Sequence, residues 1–174
     1  MRLTEHVLIA VVAVVAYSLF RYRRLPSGMI TLTAVFSGAF ADLVDKPLAW
    51  TLGFLPSGRM LAHSIVISVP LIIMILAVTY WRDKLVYGLV FGWSHLAHIT
   101  ADFHPVLYRG TDYYWFPNLL WPILSANPDR NPGFSDKVPG LGLESLAEVT
   151  ILVLVLVYIA VDIRRKFWLQ RDSA

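Results

Sequence analysis

The sequence predicts an all-α membrane protein, a polytopic bundle of about five transmembrane helices in one domain spanning residues 1–174. Three observations carry that expectation. Of 174 residues, 57% are hydrophobic and 16% charged, where a soluble domain carries about a quarter charged residues. The apolar residues come in long runs instead of alternating with polar ones, which suits a surface facing lipid and not one facing water. Basic residues gather after alternate runs, as they do on the cytoplasmic side of a membrane.

The first run is His6 to Phe20, followed by Arg21, Arg23 and Arg24. It is short, and Arg2 ahead of it gives it the look of a signal peptide. The basic cluster directly after it, without a small-residue cleavage site, fits a retained helix better. The second run extends from Gly28 to about Val44. The third runs from near Met60 to Trp81, with Arg82, Asp83 and Lys84 behind it. The fourth is Leu85 to Phe103, and its Gly88 and Gly92 form a GxxxG suited to close helix packing. A Pro- and aromatic-rich stretch at about 105–142 follows, expected to be an irregular external loop. Within it, Tyr113–Trp121 (YYWFPNLLW) reads as an interfacial aromatic belt or as the roof of a lipid-binding cleft, and 126–140 as turns. The last run, Leu143 to Ile163, ends in Arg164, Arg165 and Lys166.

Orientation follows from charge. The loops after the first and third runs, with the C-terminal tail, hold nine Lys and Arg against three Asp; everything else holds six against nine Asp and Glu. The positive side is cytoplasmic, so the N-terminus is expected outside, the C-terminus inside, and the protein in the plasma or inner membrane. The pI near 9.3 is explained by those loops, and no nucleic acid is expected. The absence of cysteine excludes disulfides, thiolate metal sites and cysteine nucleophiles, leaving His, Asp and Glu as metal ligands.

Ionisable groups at membrane depth cost several kcal/mol unless paired or facing a cavity, and here they are patterned. His6 begins the first helix, Asp42 and Asp45 end the second, Arg59, His63 and Ser64 begin the third, and His95, His98 and Asp102 lie toward the end of the fourth. With alternating helix directions, all fall at the outer end of the bundle. At about 100° per residue, His95, His98 and Asp102 share one stripe. Asp42 and Asp45 share a face by i, i+3 spacing, and Arg59 and His63 by i, i+4. Imidazoles and carboxylates without thiolate are a donor set for a borderline divalent metal, and this set suffices for one or two ions. Paired carboxylates without a cation would repel each other. Taken singly, each of these residues has a plainer reading: His6 beside Glu5 in water, His95 in packing, His104 in the loop before Pro105.

At these residues the sequence resembles the YdjM-like family of membrane-bound, metal-dependent hydrolases, from His6 to about Pro122. The matching pieces are the histidine opening the first helix (EHVLIA), the Asp-rich turn ending in Pro (DLVDKP), an Arg ahead of a His-Ser pair (GRMLAHS), an HxxxD on a Gly-containing helix (HITAD) and a downstream Trp121–Pro122. The family often reads Asp-x-Asp-His-Pro. Here Asp42 and Asp45 stand three apart, Lys46 replaces the histidine, and His95 is extra. More distantly the family resembles zinc-dependent phospholipase C, which suggests phosphoester hydrolysis.

The resemblance implies a membrane-embedded metallohydrolase acting on a phosphoester or other lipid headgroup at the extracytoplasmic face. In that scheme Asp45, His63, His98 and Asp102 hold one or two divalent ions, zinc foremost and Mn2+ or Fe2+ as alternatives, with His6 and Asp42 as further ligands. Asp42, if not a ligand, is the general base. Arg59 and Lys46 neutralise the phosphate, and Ser64 orients His63; a nucleophilic Ser64 is the other option, with no obvious activating dyad to support it. Membrane lipid or a lipid-linked molecule is the expected partner, with a homo-oligomer also open. Two alternatives stand beside this: a b-type haem protein with His63 and His95 or His98 as axial ligands, and a cation carrier or assembly subunit with a non-catalytic metal site.

Overall fold

The computed structural model describes residues 3–130 and 143–171, and within them the chain is helix and connecting loop with no strand. Helix α1 is Leu3–Tyr22 and α2 is Gly28–Lys46, continued by a π-helical turn, Pro47–Thr51. Then come α3, Ile65–Trp81; α4, Leu85–Asp102; α5, His104–Arg109; a 3-10 turn, Tyr113–Trp115; α6, Phe116–Leu119; and α7, Leu143–Arg171.

Among the described residues, three helices are long and apolar enough to cross a membrane: Thr4–Tyr22, Gly28–Thr51 and Leu146–Leu169. The other two long elements fall short of that description for different reasons. α3 is strongly apolar but has 17 residues, about 26 Å at 1.5 Å per residue. α4 has 18 residues and gives its buried face to Ser94, His95 and His98.

Several boundaries differ from those the sequence suggests. α2 ends at Lys46, close to the expected Val44, but the helical path runs on: Pro47, lacking an N–H, disrupts the i−4 ladder, and the chain continues in a wider turn closed by Leu52 N–H donating to the Pro47 carbonyl (3.0 Å). α3 starts at Ile65 and not at Met60, because Ser64 is its N-cap, extended at ψ 129° with its Oγ accepting from Val66 N–H (3.2 Å). Arg59 and His63 therefore lie in a loop and share no helix face. The stretch from 105 is partly ordered by α5 and α6, His104 opens α5, and 131–140 of the expected turn region lie outside the described residues. α7 continues past Ile163, so its basic cluster is helical.

The core is built from small residues. α2 packs against α1, α4 and α7, and α4 against α1, α2 and α3. Lipid tails are as apolar as Leu, so helices in a bilayer associate through close van der Waals fit more than through hydrophobic burial. Gly38 of α2 shows the fit: a Cβ there would stand 2.7 Å from the Ala10 Cβ of α1. The GxxxG of α4 serves the same end, since a Cβ on Gly92 would lie 2.9 Å from Ile72 Cγ2 of α3. Around the α1–α2 contact, Val7, Val11, Val14, Ala34 and Ala39 form the buried cluster. α7 is the outlying helix and exposes Leu154, Leu156 and Val157. Polar contacts fasten it at both ends: Thr4 Oγ1 donates to Glu148 (2.6 Å), Gly28 N–H to Asp162 (2.8 Å), and Tyr158 O–H to the Pro26 carbonyl (2.5 Å).

Candidate metal centre

The start of α1, the ends of α2 and α4, and the loop before α3 meet at one end of the bundle. The loop is organised by Asp45, whose side chain is fully buried. Asp45 Oδ1 accepts from Ala62 N–H (2.8 Å), and Oδ2 from Met60 N–H (2.9 Å) and His63 N–H (3.2 Å). Oδ2 also lies 2.9 Å from His63 Nδ1. A carboxylate so surrounded fixes the Nδ1–H tautomer of His63 and turns Nε2 inward.

His98 is oriented in the same manner by the main chain. Its Nδ1 lies 2.7 Å from the Gly38 carbonyl, which can only accept, so Nδ1 donates and Nε2 carries the lone pair. The two Nε2 atoms stand 3.1 Å apart. Two carboxylates complete the arrangement. Asp42 Oδ1 lies 3.5 Å from His63 Nε2 and 3.9 Å from His98 Nε2, and Asp102 Oδ2 lies 3.3 Å from His63 Nε2.

Asp42, His63, His98 and Asp102 thus offer four ligand atoms within 4.8 Å of one another, all buried. Donors about 2.0–2.1 Å from a tetrahedral ion are about 3.3 Å from each other, and the separations above bracket that figure. Asp42 Oδ1 accepts no hydrogen bond although it is buried, a costly state unless a cation completes it. The donor set and its spacing therefore fit a divalent metal. Electrostatics point the same way at His63, which lies outside the helices. Burial alone would favour its neutral ring, yet the surrounding carboxylates of Asp102, Asp42 and Asp45 push it up to about 10. The site demands a positive charge, and without metal a proton on His63 supplies it.

The geometry exchanges the two carboxylates of α2. Asp45, expected as a ligand, is occupied by backbone N–H groups and holds His63 from behind; Asp42, expected as a base or further ligand, is among the convergent atoms. His6 is close by, with Nε2 3.0 Å from Asp102 Oδ1 and its ring 4.0 Å from that of His98, but it is not one of the four. Lys46 pairs with Asp42 (2.5 Å) one helical turn away. Arg59 Nε donates to Asp102 Oδ2 (3.0 Å), with the guanidinium 5.3 Å from the Trp115 ring centre. Ser64 does not orient His63: besides capping α3, its hydroxyl bonds the Leu119 and Trp121 carbonyls. His95 meets Ser68 Oγ at 2.9 Å and packs against Phe40 and Phe91, a bracing role away from the cluster.

Some contributors give no sequence signal. The Gly38 carbonyl is one, since any residue has a carbonyl. Asp129 is another: it accepts from Trp50 Nε1 (2.5 Å), Ser57 Oγ (2.9 Å) and Gly58 N–H (2.8 Å), tying the site loop to the segment after α6. Its position among Asn and Pro residues reads only as a turn. Beside the cluster lies a cavity of about 170 Å3, lined by Arg59, Ala101, Asp102, His104, Pro105, Val106, Asp112 and Trp115.

Fold and site together define a membrane-type helical bundle with a buried His/Asp centre able to hold a metal. The chain belongs to the YdjM inner membrane protein family, whose model matches residues 1–169. No curated protein and no solved structure matches it.

Proposed function

We infer that this protein is a membrane-embedded, metal-dependent hydrolase of a phosphoester, acting on a lipid or lipid-linked headgroup at the extracytoplasmic face. The observation that carries the reading is the adjacency of the four-ligand centre to a cavity walled by Arg59 and by Asp102, itself one of the four. A purely structural metal site has no need of such an opening. α3 and α4 join the three longer helices in crossing the bilayer, the N-terminus lies outside, and the charge asymmetry of the two ends supports that orientation.

In this reading Asp42, His63, His98 and Asp102 hold a divalent ion, zinc first among candidates, and His6 stands ready beside Asp102. Such an ion lowers the pKa of water toward 7 and so supplies a nucleophile at neutral pH. Asp45 and the Gly38 carbonyl keep both imidazoles in the ligating tautomer. Lys46 holds Asp42 in place. Arg59, anchored through Nε, has its terminal nitrogens left to neutralise a phosphoryl oxygen in the cavity. The haem alternative is disfavoured by the 3.1 Å between His63 and His98 nitrogens, which leaves no room for a porphyrin plane between them.

The test is headgroup release from native lipid extract by metal-loaded protein. Arg59→Lys keeps a charge but loses the planar fork, so it should fold, load metal and turn over about a hundredfold more slowly, roughly 3 kcal/mol of transition-state contact. Wild-type turnover in Arg59→Lys would remove Arg59 from the chemistry, and no release by wild-type protein would overturn the hydrolase reading.

A further inference from the structure

The cavity lining holds two polar residues that the reading above does not use, His104 and Asp112. His104 opens α5 with its Nδ1 2.8 Å from the Ala101 carbonyl, so that nitrogen donates and is fixed. Nε2 is then the polar atom this half-buried ring can offer a ligand, and in the neutral ring it is an acceptor. Apart from Asp102, which belongs to the four-ligand centre and already accepts from Arg59, Asp112 is a further acceptor in the lining. It sits in the left-handed region at φ 54°, where Asp is among the few residues tolerated. Its contact with Arg130 is 3.5 Å long between exposed side chains, a pairing of little strength, and the Arg130 guanidinium also lies 4.1 Å from the Tyr114 ring centre. The rest of the lining is apolar: Ala101, Pro105, Val106 and Trp115.

A cavity of about 150 Å3 holds a benzene-sized molecule, so 170 Å3 admits a short group and not a sugar chain. Its lining combines a guanidinium with the Asp112 carboxylate and an imidazole lone pair among apolar side chains. We propose that Asp112 and His104 form a subsite for a primary ammonium, so that the cavity takes an aminoalkyl phosphate, the phosphate against Arg59 and the two-carbon link against Trp115 and Val106. This rests on the hydrolase reading and names its substrate class. Two acceptors call for a ligand that brings both N–H donors and positive charge. A trimethylammonium has the charge without donors, and a glycerol has donors without the charge.

The experiment titrates zinc-loaded, detergent-purified full-length protein with O-phosphoethanolamine, phosphocholine and glycerol 1-phosphate by calorimetry. In parallel it measures headgroup release from vesicles of phosphatidylethanolamine, phosphatidylcholine and phosphatidylglycerol. O-phosphoethanolamine should bind at least tenfold more tightly than the other two. Asp112→Asn, nearly isosteric and equally tolerant of the left-handed backbone, should abolish that preference while leaving metal content and glycerol 1-phosphate affinity within twofold of wild type. Release from phosphatidylethanolamine vesicles assigns the ammonium to a lipid; binding of the soluble ester without vesicle release assigns it to a free phosphate ester, and the subsite stands either way. Equal affinity for all three esters, or a preference that survives Asp112→Asn, overturns the subsite and leaves the hydrolase reading intact. A clear binding preference with no hydrolysis of any ester or lipid overturns the hydrolase reading and leaves the subsite.

Discussion

Replacing Asp45 with Asn separates a residue that holds a ligand from one that is a ligand. The Asp45 carboxylate accepts three backbone N–H groups, from Met60, Ala62 and His63, and faces His63 Nδ1 as well. An Asn at 45 keeps one acceptor oxygen and turns an NH2 group toward donors, so about two charge-assisted hydrogen bonds are lost. At about 1.5–3 kcal/mol each, the loss is about 3–6 kcal/mol before relaxation of the 52–64 loop offsets part of it. His63 loses its tautomer lock, and a lost partner of that kind lowers metal affinity about 10–100-fold without abolishing it. The assay is thermal unfolding in detergent with and without zinc, together with a competition titration against a chromophoric chelator. Asp45→Asn should melt markedly earlier and still bind zinc stoichiometrically at raised concentration. Asp42→Asn should do the reverse, keeping the fold and losing the ion. An Asp45→Asn protein as stable as wild type but unable to bind metal would refute the reasoning.

Gly38→Ala should loosen the α1–α2 contact, since the new Cβ would stand 2.7 Å from Ala10 Cβ; overpacking of this kind costs about 1–3 kcal/mol and should appear as a lower melting temperature with reduced metal affinity, because His98 is held by the Gly38 carbonyl. Metal binding should release a proton, since His63 is held protonated up to about 10 in the metal-free state. Affinity should therefore rise about tenfold per pH unit between pH 6.5 and 8.5, as read by competition titrations in that range; a flat profile would mean that His63 does not exchange a proton for metal. A reporter fused after Ala174 should behave as cytoplasmic and one inserted near Asn131 as external; both on one side would refute the five-span orientation.

The sequence reveals the site at the level of neighbourhoods. The positions of His6, Asp42, His63, His98 and Asp102 at the ends of apolar runs suffice to bring them together, because helix direction alternates from one run to the next. Which of two carboxylates reaches the centre is another matter. Asp42 and Asp45 lie on one face by spacing, and only the path of the 52–64 loop decides that Asp45 spends its oxygens on backbone N–H groups. That path depends on Pro47 widening the helix, Ser64 starting the next one and Asp129 pinning the loop from seventy residues away, contacts that no periodicity encodes. Arg59 and His63 look like a helical i, i+4 pair for the same reason: an apolar run continues through Met60 and Leu61 even though Ser64 sets the helix start. His104 reads from the sequence as a loop residue beside Pro105, yet a proline at the second position of a helix is a start signal, and the ring of that helix's first residue lines the cavity.

The most direct test of the account is the metal stoichiometry of detergent-purified protein, determined by elemental analysis for wild type, His98→Ala and His95→Ala in parallel. The structure places His98 Nε2 among the four convergent ligand atoms and His95 against Ser68, Phe40 and Phe91. About one divalent ion per chain in wild type and in His95→Ala, and little in His98→Ala, is the predicted result; no ion in wild type, or equal content in all three, would contradict it.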